Sequence, residues 1–160
     1  MKKFLLLVFV TILSTSAFAQ TEEGDQSISA NLGLGFDKLE NVTLGIDYRF
    51  NISQEIRLAP SFTYFIKKDG LSAYSAEMNL NYIFPLTEQF SFYPIGGLSF
   101  TSYNFDQNPF DTSVNRLGLN LGLGAEMYTY DNIIIGFEAK YRIVNDFSQP
   151  VIALRVGYSF

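Results

Sequence analysis

Residues Val151–Phe160 read VIALRVGYSF, and the alternation in this closing stretch decides the fold. Ile152, Leu154, Val156, Tyr158 and Phe160 fall on one side, with Val151, Ala153, Arg155, Gly157 and Ser159 on the other. Successive side chains of a strand point to opposite faces, so this is a strand with one bulky apolar face and one small or polar face. The same pattern runs back to about Ser27. Strands are expected at Ser27–Phe36, Val42–Phe50, Glu55–Ile66, Ser72–Phe84, Phe90–Tyr103, Arg116–Tyr128, Ile133–Val144 and through the closing stretch. Pro94 and Gly96-Gly97 make the fifth the least regular and invite a bend or bulge there.

Consecutive strands with short connections pair antiparallel. Eight in a row make an up-and-down meander, and closure removes both sticky edges. The expected fold is therefore all-β, an eight-stranded antiparallel up-and-down transmembrane β-barrel. Volume decides which face is inside. An eight-stranded barrel has room in its lumen only for side chains or one small ligand. About five bulky residues per strand would overfill it, whereas the opposite face of Gly, Ser, Ala and Asn fits. A water-facing surface would instead carry interspersed Lys and Glu. The bulky face is thus expected to meet lipid, with rings near strand ends forming interfacial girdles: Phe36, Tyr48, Phe50, Tyr64, Tyr82, Phe84, Phe90, Phe92, Tyr128, Tyr141, Tyr158 and Phe160.

The N-terminus reads as an export signal: Lys2 and Lys3, an apolar run from Phe4 to Leu13, then Ala17-Phe18-Ala19. Cleavage after Ala19 would divide the chain into a signal peptide, residues 1–19, and one barrel domain, residues 20–160. The apolar run is too short for a spanning helix. Net charge is −5, and loss of Lys2 and Lys3 makes it more negative, which argues against a nucleic-acid partner. With no cysteine, disulfides and thiolate metal sites are excluded.

Charges within the strands fall mostly on the small face: Asp47, Arg49, Glu55, Arg57, Glu77, Arg116, Glu126, Glu138, Lys140, Arg142 and Arg155. Their signs nearly cancel, and buried charges must be paired, so a salt-bridge network filling the lumen is expected. A tight turn around Ile52 would set Arg49 opposite Glu55 and Asp47 opposite Arg57. The alternative is a narrow charged path for ions or very small solutes. The chain has no histidine, which closes the usual Ser-His route, and it carries no phosphate-loop, dinucleotide or metal-ligand motif. No enzymatic activity and no cofactor are expected.

The signal peptide, the alternating segments and the terminal Val156-Gly157-Tyr158-Ser159-Phe160 resemble the small bacterial outer-membrane β-barrel family of the OmpA, OmpX and opacity-protein type. The resemblance implies that Leu154, Val156, Tyr158 and Phe160 are read by the barrel-assembly machinery, and that the barrel resides in the outer membrane of a Gram-negative bacterium. Outer-membrane lipid and lipopolysaccharide are then its surroundings, and a monomer is expected. With a periplasmic N-terminus, the connections at 37–41, 67–71, 104–115 and 145–150 face outward. The longest, Asn104–Asn115, carries Phe105, Pro109 and Phe110, a candidate partner contact or a plug over the barrel mouth. The outward connections are otherwise short, which weighs against an adhesive role.

Overall fold

The computed structural model describes residues 22–36, 41–68, 70–107, 110–129 and 131–160, with side chains described at all of these except 68, 105–107 and 110–112. The signal-peptide segment and Asp37, Lys38, Leu39, Glu40, Asp69 and Pro109 lie outside the described residues. Eight long strands form: β1 Gln26–Gly35, β2 Val42–Asn51, β3 Ile56–Lys68, β4 Leu71–Tyr82, β5 Phe90–Gln107, β6 Phe110–Tyr128, β7 Ile133–Val144 and β8 Gln149–Ser159. A two-residue piece, Phe84–Pro85, continues the β4 side of the ladder against β5. Each strand pairs antiparallel with the next, and β8 pairs back onto β1 from Ser27↔Ser159 to Gly35↔Val151. The sheet is a closed meander with no free edge along the barrel wall.

The bulky face is outside. Leu119, Leu121, Phe137 and Leu154 are 44–61% exposed, while Ser27, Ser29, Thr43, Asn79, Ser99 and Asn120 are buried. The apolar residues therefore gain nothing from an aqueous surround, and only acyl chains satisfy this exterior. Rings cluster at both rims of the outer surface, with Tyr64 stacked on Tyr74 at 6.3 Å and Tyr82 against Phe84 at 4.8 Å. The Tyr48 hydroxyl donates to Gln26 at 2.6 Å and the Tyr82 hydroxyl to Glu55 at 2.9 Å. A ring in the apolar layer with its hydroxyl on a polar rim group is the arrangement a membrane interface selects.

One end of the barrel gathers the start of β1, the end of β8 and the turns between β2 and β3, β4 and β5, and β6 and β7. Two of these turns are built alike from like sequences, Ile52-Ser53-Gln54-Glu55-Ile56 and Leu86-Thr87-Glu88-Gln89-Phe90. In each, the N–H of the first residue donates to the carbonyl of the fifth (2.8 and 2.9 Å), and the Ser or Thr hydroxyl accepts from the fifth residue's N–H (3.1 Å in both). The β2–β3 turn is therefore longer than a tight turn around Ile52. Asn51 pairs with Arg57 and Asp47 with Ser61, so the expected Arg49–Glu55 and Asp47–Arg57 pairs do not form. The slip is an even number of residues, so every side chain keeps its face. The β2–β3 ladder lapses opposite Pro60, which has no N–H to give, and resumes at Phe50↔Leu58.

At the other end, the expected loop 104–115 is mostly strand. β5 and β6 pair without interruption to Gln107↔Phe110, leaving only a tip between them. β7 ends at Val144, opposite Gly118, and β4 begins at Leu71, opposite Phe105. Residues 110–117 of β6 thus pair only with β5 and extend roughly 25 Å at about 3.3 Å per residue. The long connection is thus an extension of the sheet in which β4 flanks β5 as far as Phe105, and only 106–111 is two-stranded. The bulge expected at Gly96-Gly97 is absent, because the β4–β5 and β5–β6 registers run straight through it. Pro94 faces outward there, and Gly97 faces inward where a Cβ would collide with the Asn79 side chain and the Met78 carbonyl. The irregularity lies instead in β3, where the register shifts between Phe65 and Lys68 before the turn at Gly70.

Candidate functional site

The lumen is where the charges converge, and glycines make the room. Tyr93 on β5 pairs with Gly124 on β6, and a Cβ at position 124 would collide with the edge of the Tyr93 ring. Arg155 on β8 pairs with Gly136 on β7, where a Cβ would sit 3.1 Å from the guanidinium. The small residues of the inner face therefore alternate with very large ones across the strands rather than leaving an open bore.

Near the end that holds the start of β1 and the end of β8, Glu126 is fully enclosed and takes three guanidinium groups. Its Oε1 accepts from Arg57 at 2.7 Å, and its Oε2 from Arg155 at 2.6 Å and Arg49 at 3.1 Å. These arginines stand on β3, β8 and β2, so one carboxylate on β6 ties together walls on opposite sides of the barrel. Arg49 also bonds Asp47 at 3.0 Å and Glu138, and Arg155 reaches Ser29 at 3.0 Å. The Tyr93 hydroxyl donates to Glu138 at 2.9 Å, and Arg49 lies over the Tyr93 ring at 5.1 Å. Tyr128 donates to Glu126 at 2.6 Å and accepts from Arg57 at 2.8 Å. Every carboxylate in this cluster is multiply bonded, which is what buried charge requires.

Further along, Lys140 on β7 bonds Glu77 on β4 at 3.0 Å, and Asn120 bridges Glu77 and Asn79 at 3.0 and 2.9 Å. Arg142 crosses from β7 to Ser75 and Thr101 on the facing wall, 2.6 Å from each. Beyond it lies an apolar cluster: Phe65, Ala73, Tyr103 and Val144 are buried together, with Leu71 and Phe147 packed against them. Phe147 stacks on Tyr103 at 4.2 Å, carried by the β7–β8 turn in which Asp146 takes a left-handed conformation.

Nine of the eleven charges expected inside are thus brought together: Asp47, Arg49, Arg57, Glu77, Glu126, Glu138, Lys140, Arg142 and Arg155. Two are corrections. Glu55 has the parity of the inner face but precedes the first residue of β3, and in the turn it is exposed and bonds Tyr82. Arg116 also has inner parity but stands above the end of β7, where the wall has stopped, 3.9 Å from the exposed Asp146. A third correction concerns Tyr128, whose hydroxyl belongs to the lumen cluster rather than to a girdle. The side chains of Phe105 and Phe110 and all of Pro109 lie outside the described residues, so the expected contact of these three has no counterpart to report. Leu154, Val156, Tyr158 and Phe160 all face outward, 49–64% exposed, the last two at the rim beside the start of β1.

Tyr93, Phe65 and Tyr103 were not anticipated inside. Their signal was available: each is a bulky residue out of phase with the outward set of its own strand. Among the described residues, no cluster of carboxylates is placed to hold a metal ion.

The family described as outer membrane protein beta-barrel domain matches residues 5–160. The chain belongs to that family. Among solved structures, the N-terminal β-barrel domain of Pseudomonas aeruginosa OprF is similar, with a TM-score of 0.76 at 16% identity over 88% of this chain and 100% of that one. Neisserial surface protein A is similar with a TM-score of 0.66 at 17% identity, over 86% and 96% of the two chains. The attachment invasion locus protein Ail of Yersinia pestis gives 0.60 at 20% identity, over 86% and 99%. No curated protein matches. At these identities the likeness is one of fold, and it places this outer-membrane β-barrel beside other small ones with the same closed meander.

Proposed function

We propose that this chain is a non-conducting, non-catalytic barrel of the bacterial outer membrane whose role is structural, with the β5–β6 hairpin presented at the surface. The observation that supports the reading is that two groups of side chains fill the lumen at successive levels: Glu126 ties arginines from three other strands across the bore, and Phe65, Tyr103 and Phe147 pack together toward the far end. An ion would have to displace both. The lack of histidine anywhere in the chain supports the non-catalytic part. Planar-bilayer recording on the refolded barrel tests it: a silent bilayer is expected, and stable conductance steps altered by Arg57→Ala or Glu77→Ala would establish the narrow channel instead.

Export through a signal peptide cleaved after Ala19, recognition of Leu154, Val156, Tyr158 and Phe160 by the assembly machinery, and residence as a monomer among outer-membrane lipid and lipopolysaccharide belong to the same proposal. The outward phase of those four residues, with Tyr158 and Phe160 at the rim, supports the second of these. Membrane fractionation with surface proteolysis tests the placement, and recovery from the soluble periplasm would refute it.

The rim-standing hairpin favours a second reading, a surface contact through residues 104–115 involving Phe105, Pro109 and Phe110. Deleting residues 106–112 would abolish capture of a surface partner while the barrel still folds; unchanged capture would end this reading.

A further inference from the structure

Among the described residues, the charges inside the barrel do not balance, and the imbalance is local. In the cluster around Glu126, three arginines (Arg49, Arg57, Arg155) meet three carboxylates (Asp47, Glu126, Glu138). In the next layer, Lys140 and Arg142 share one, Glu77, at 3.0 Å from Lys140 Nζ and 3.8 Å from Arg142 Nε. The second carboxylate near Lys140, Glu138 at 3.7 Å, already serves Arg49. One buried positive charge is left over, in surroundings where an uncompensated charge is costly.

The same layer holds the unused donors. Arg142 is 1% exposed; its Nη2 is committed to Ser75 and Thr101, but Nη1 and Nε make no hydrogen bond. Gln149, its partner across β7 and β8, is 2% exposed and neither atom of its amide is bonded. The guanidinium lies 4.8 Å from the Phe65 ring, directly beneath the apolar cluster. Excess charge and unpaired N–H groups therefore coincide at one guanidinium and one amide.

We propose that Arg142 and Gln149 hold a small monovalent anion, chloride or one of its size, in the lumen beneath the apolar cluster. Water would satisfy the N–H groups but leave the charge, whereas an anion satisfies both. Arg142 Nη1 and Nε supply the charged donors, and the Gln149 amide turns its Nε2 toward the same point. The site is independent of whether the barrel conducts, since a bound ion here is a structural counter-charge rather than a permeating one.

Crystals of the detergent-solubilised barrel soaked in bromide should show one anomalous peak within hydrogen-bond distance of Arg142. Thermal unfolding should have a higher midpoint in sodium chloride than in sodium gluconate at equal ionic strength, because a ligand bound only to the folded state stabilises it. Gln149→Glu installs the missing negative charge beside Arg142, and it should abolish both the bromide peak and the chloride-dependent shift. Arg142→Met, which removes the excess charge, should do the same and serves if the first variant does not fold. A bromide peak elsewhere or nowhere in the lumen, equal midpoints in the two salts, or a chloride-dependent shift that survives in either variant would overturn the proposal.

Discussion

Replacing Glu126 with glutamine leaves three guanidinium groups facing one another with their common carboxylate gone. Breaking a buried charge cluster by removing one partner costs about 3–5 kcal/mol, more than any single exposed pair returns. Urea unfolding of Glu126→Gln in lipid vesicles is therefore expected to show a loss of that size, while Glu55→Gln leaves the midpoint where it was because Glu55 stands in a turn outside the lumen. The glycines opposite large side chains give a second test. A methyl group at Gly124 would collide with the edge of the Tyr93 ring, so Gly124→Ala should cost about 1–3 kcal/mol by overpacking. In a Tyr93→Ala background the same change should cost much less, and a double-mutant cycle on the folded barrel reads that coupling. At this scale the sequence was informative about face but not about depth. Parity assigned Arg49, Arg57, Glu126 and Arg155 to the interior without error. It could not tell that Glu55 and Arg116, with the same parity, lie beyond the ends of the wall, because parity carries no information on where a neighbouring strand stops.

Strands were legible because the outward set is bulky and regular; their connections were less so. The β2–β3 turn differs from a tight turn around Ile52 in its hydrogen bonding: Ser53 accepts from the Ile56 N–H, which lengthens the turn and shifts the register. The same construction with Thr87 shows that a Ser or Thr followed by two polar residues and an apolar one marks this turn here. The stretch 104–115 reads as a loop in the sequence because, above the end of β7, residues of β6 with no second neighbour have no continuous lipid face to impose alternation. Its position above the rim sets a depth-dependent expectation along β6. Leu123 pairs with Pro94 and Ala139 within the wall, and Leu123→Arg should cost about 2–4 kcal/mol, as a charge does near the bilayer midplane. Leu117, 76% exposed and above the end of β7, should tolerate arginine at about 0–1 kcal/mol. Refolding both variants into vesicles and comparing unfolding midpoints checks the membrane boundary directly; equal costs would place it elsewhere.

Two layers of different chemistry stand in series along one bore, and on the proposed non-conducting reading they act together. The ionic layer crosses the lumen with bonded side chains from β2, β3, β6 and β8. The apolar layer packs Phe65, Tyr103 and Phe147 together. Because an eight-stranded barrel is only as wide as its side chains, that reading expects either layer alone to stop an ion. Phe65→Ala with Tyr103→Ala opens the far end yet leaves the arginine layer intact, so that double variant should remain silent in a planar bilayer. Arg49→Ser removes only the β2 arm of the near layer, with Arg57 and Arg155 still on Glu126, and it should be silent as well. Only the triple variant loosens both layers, and discrete conductance steps are expected from it once its heat-shifted migration on gels shows that it has folded. Conductance from either partial variant would mean that one layer is not a seal, and silence from the folded triple variant would mean that the remaining lumen side chains fill the bore without them.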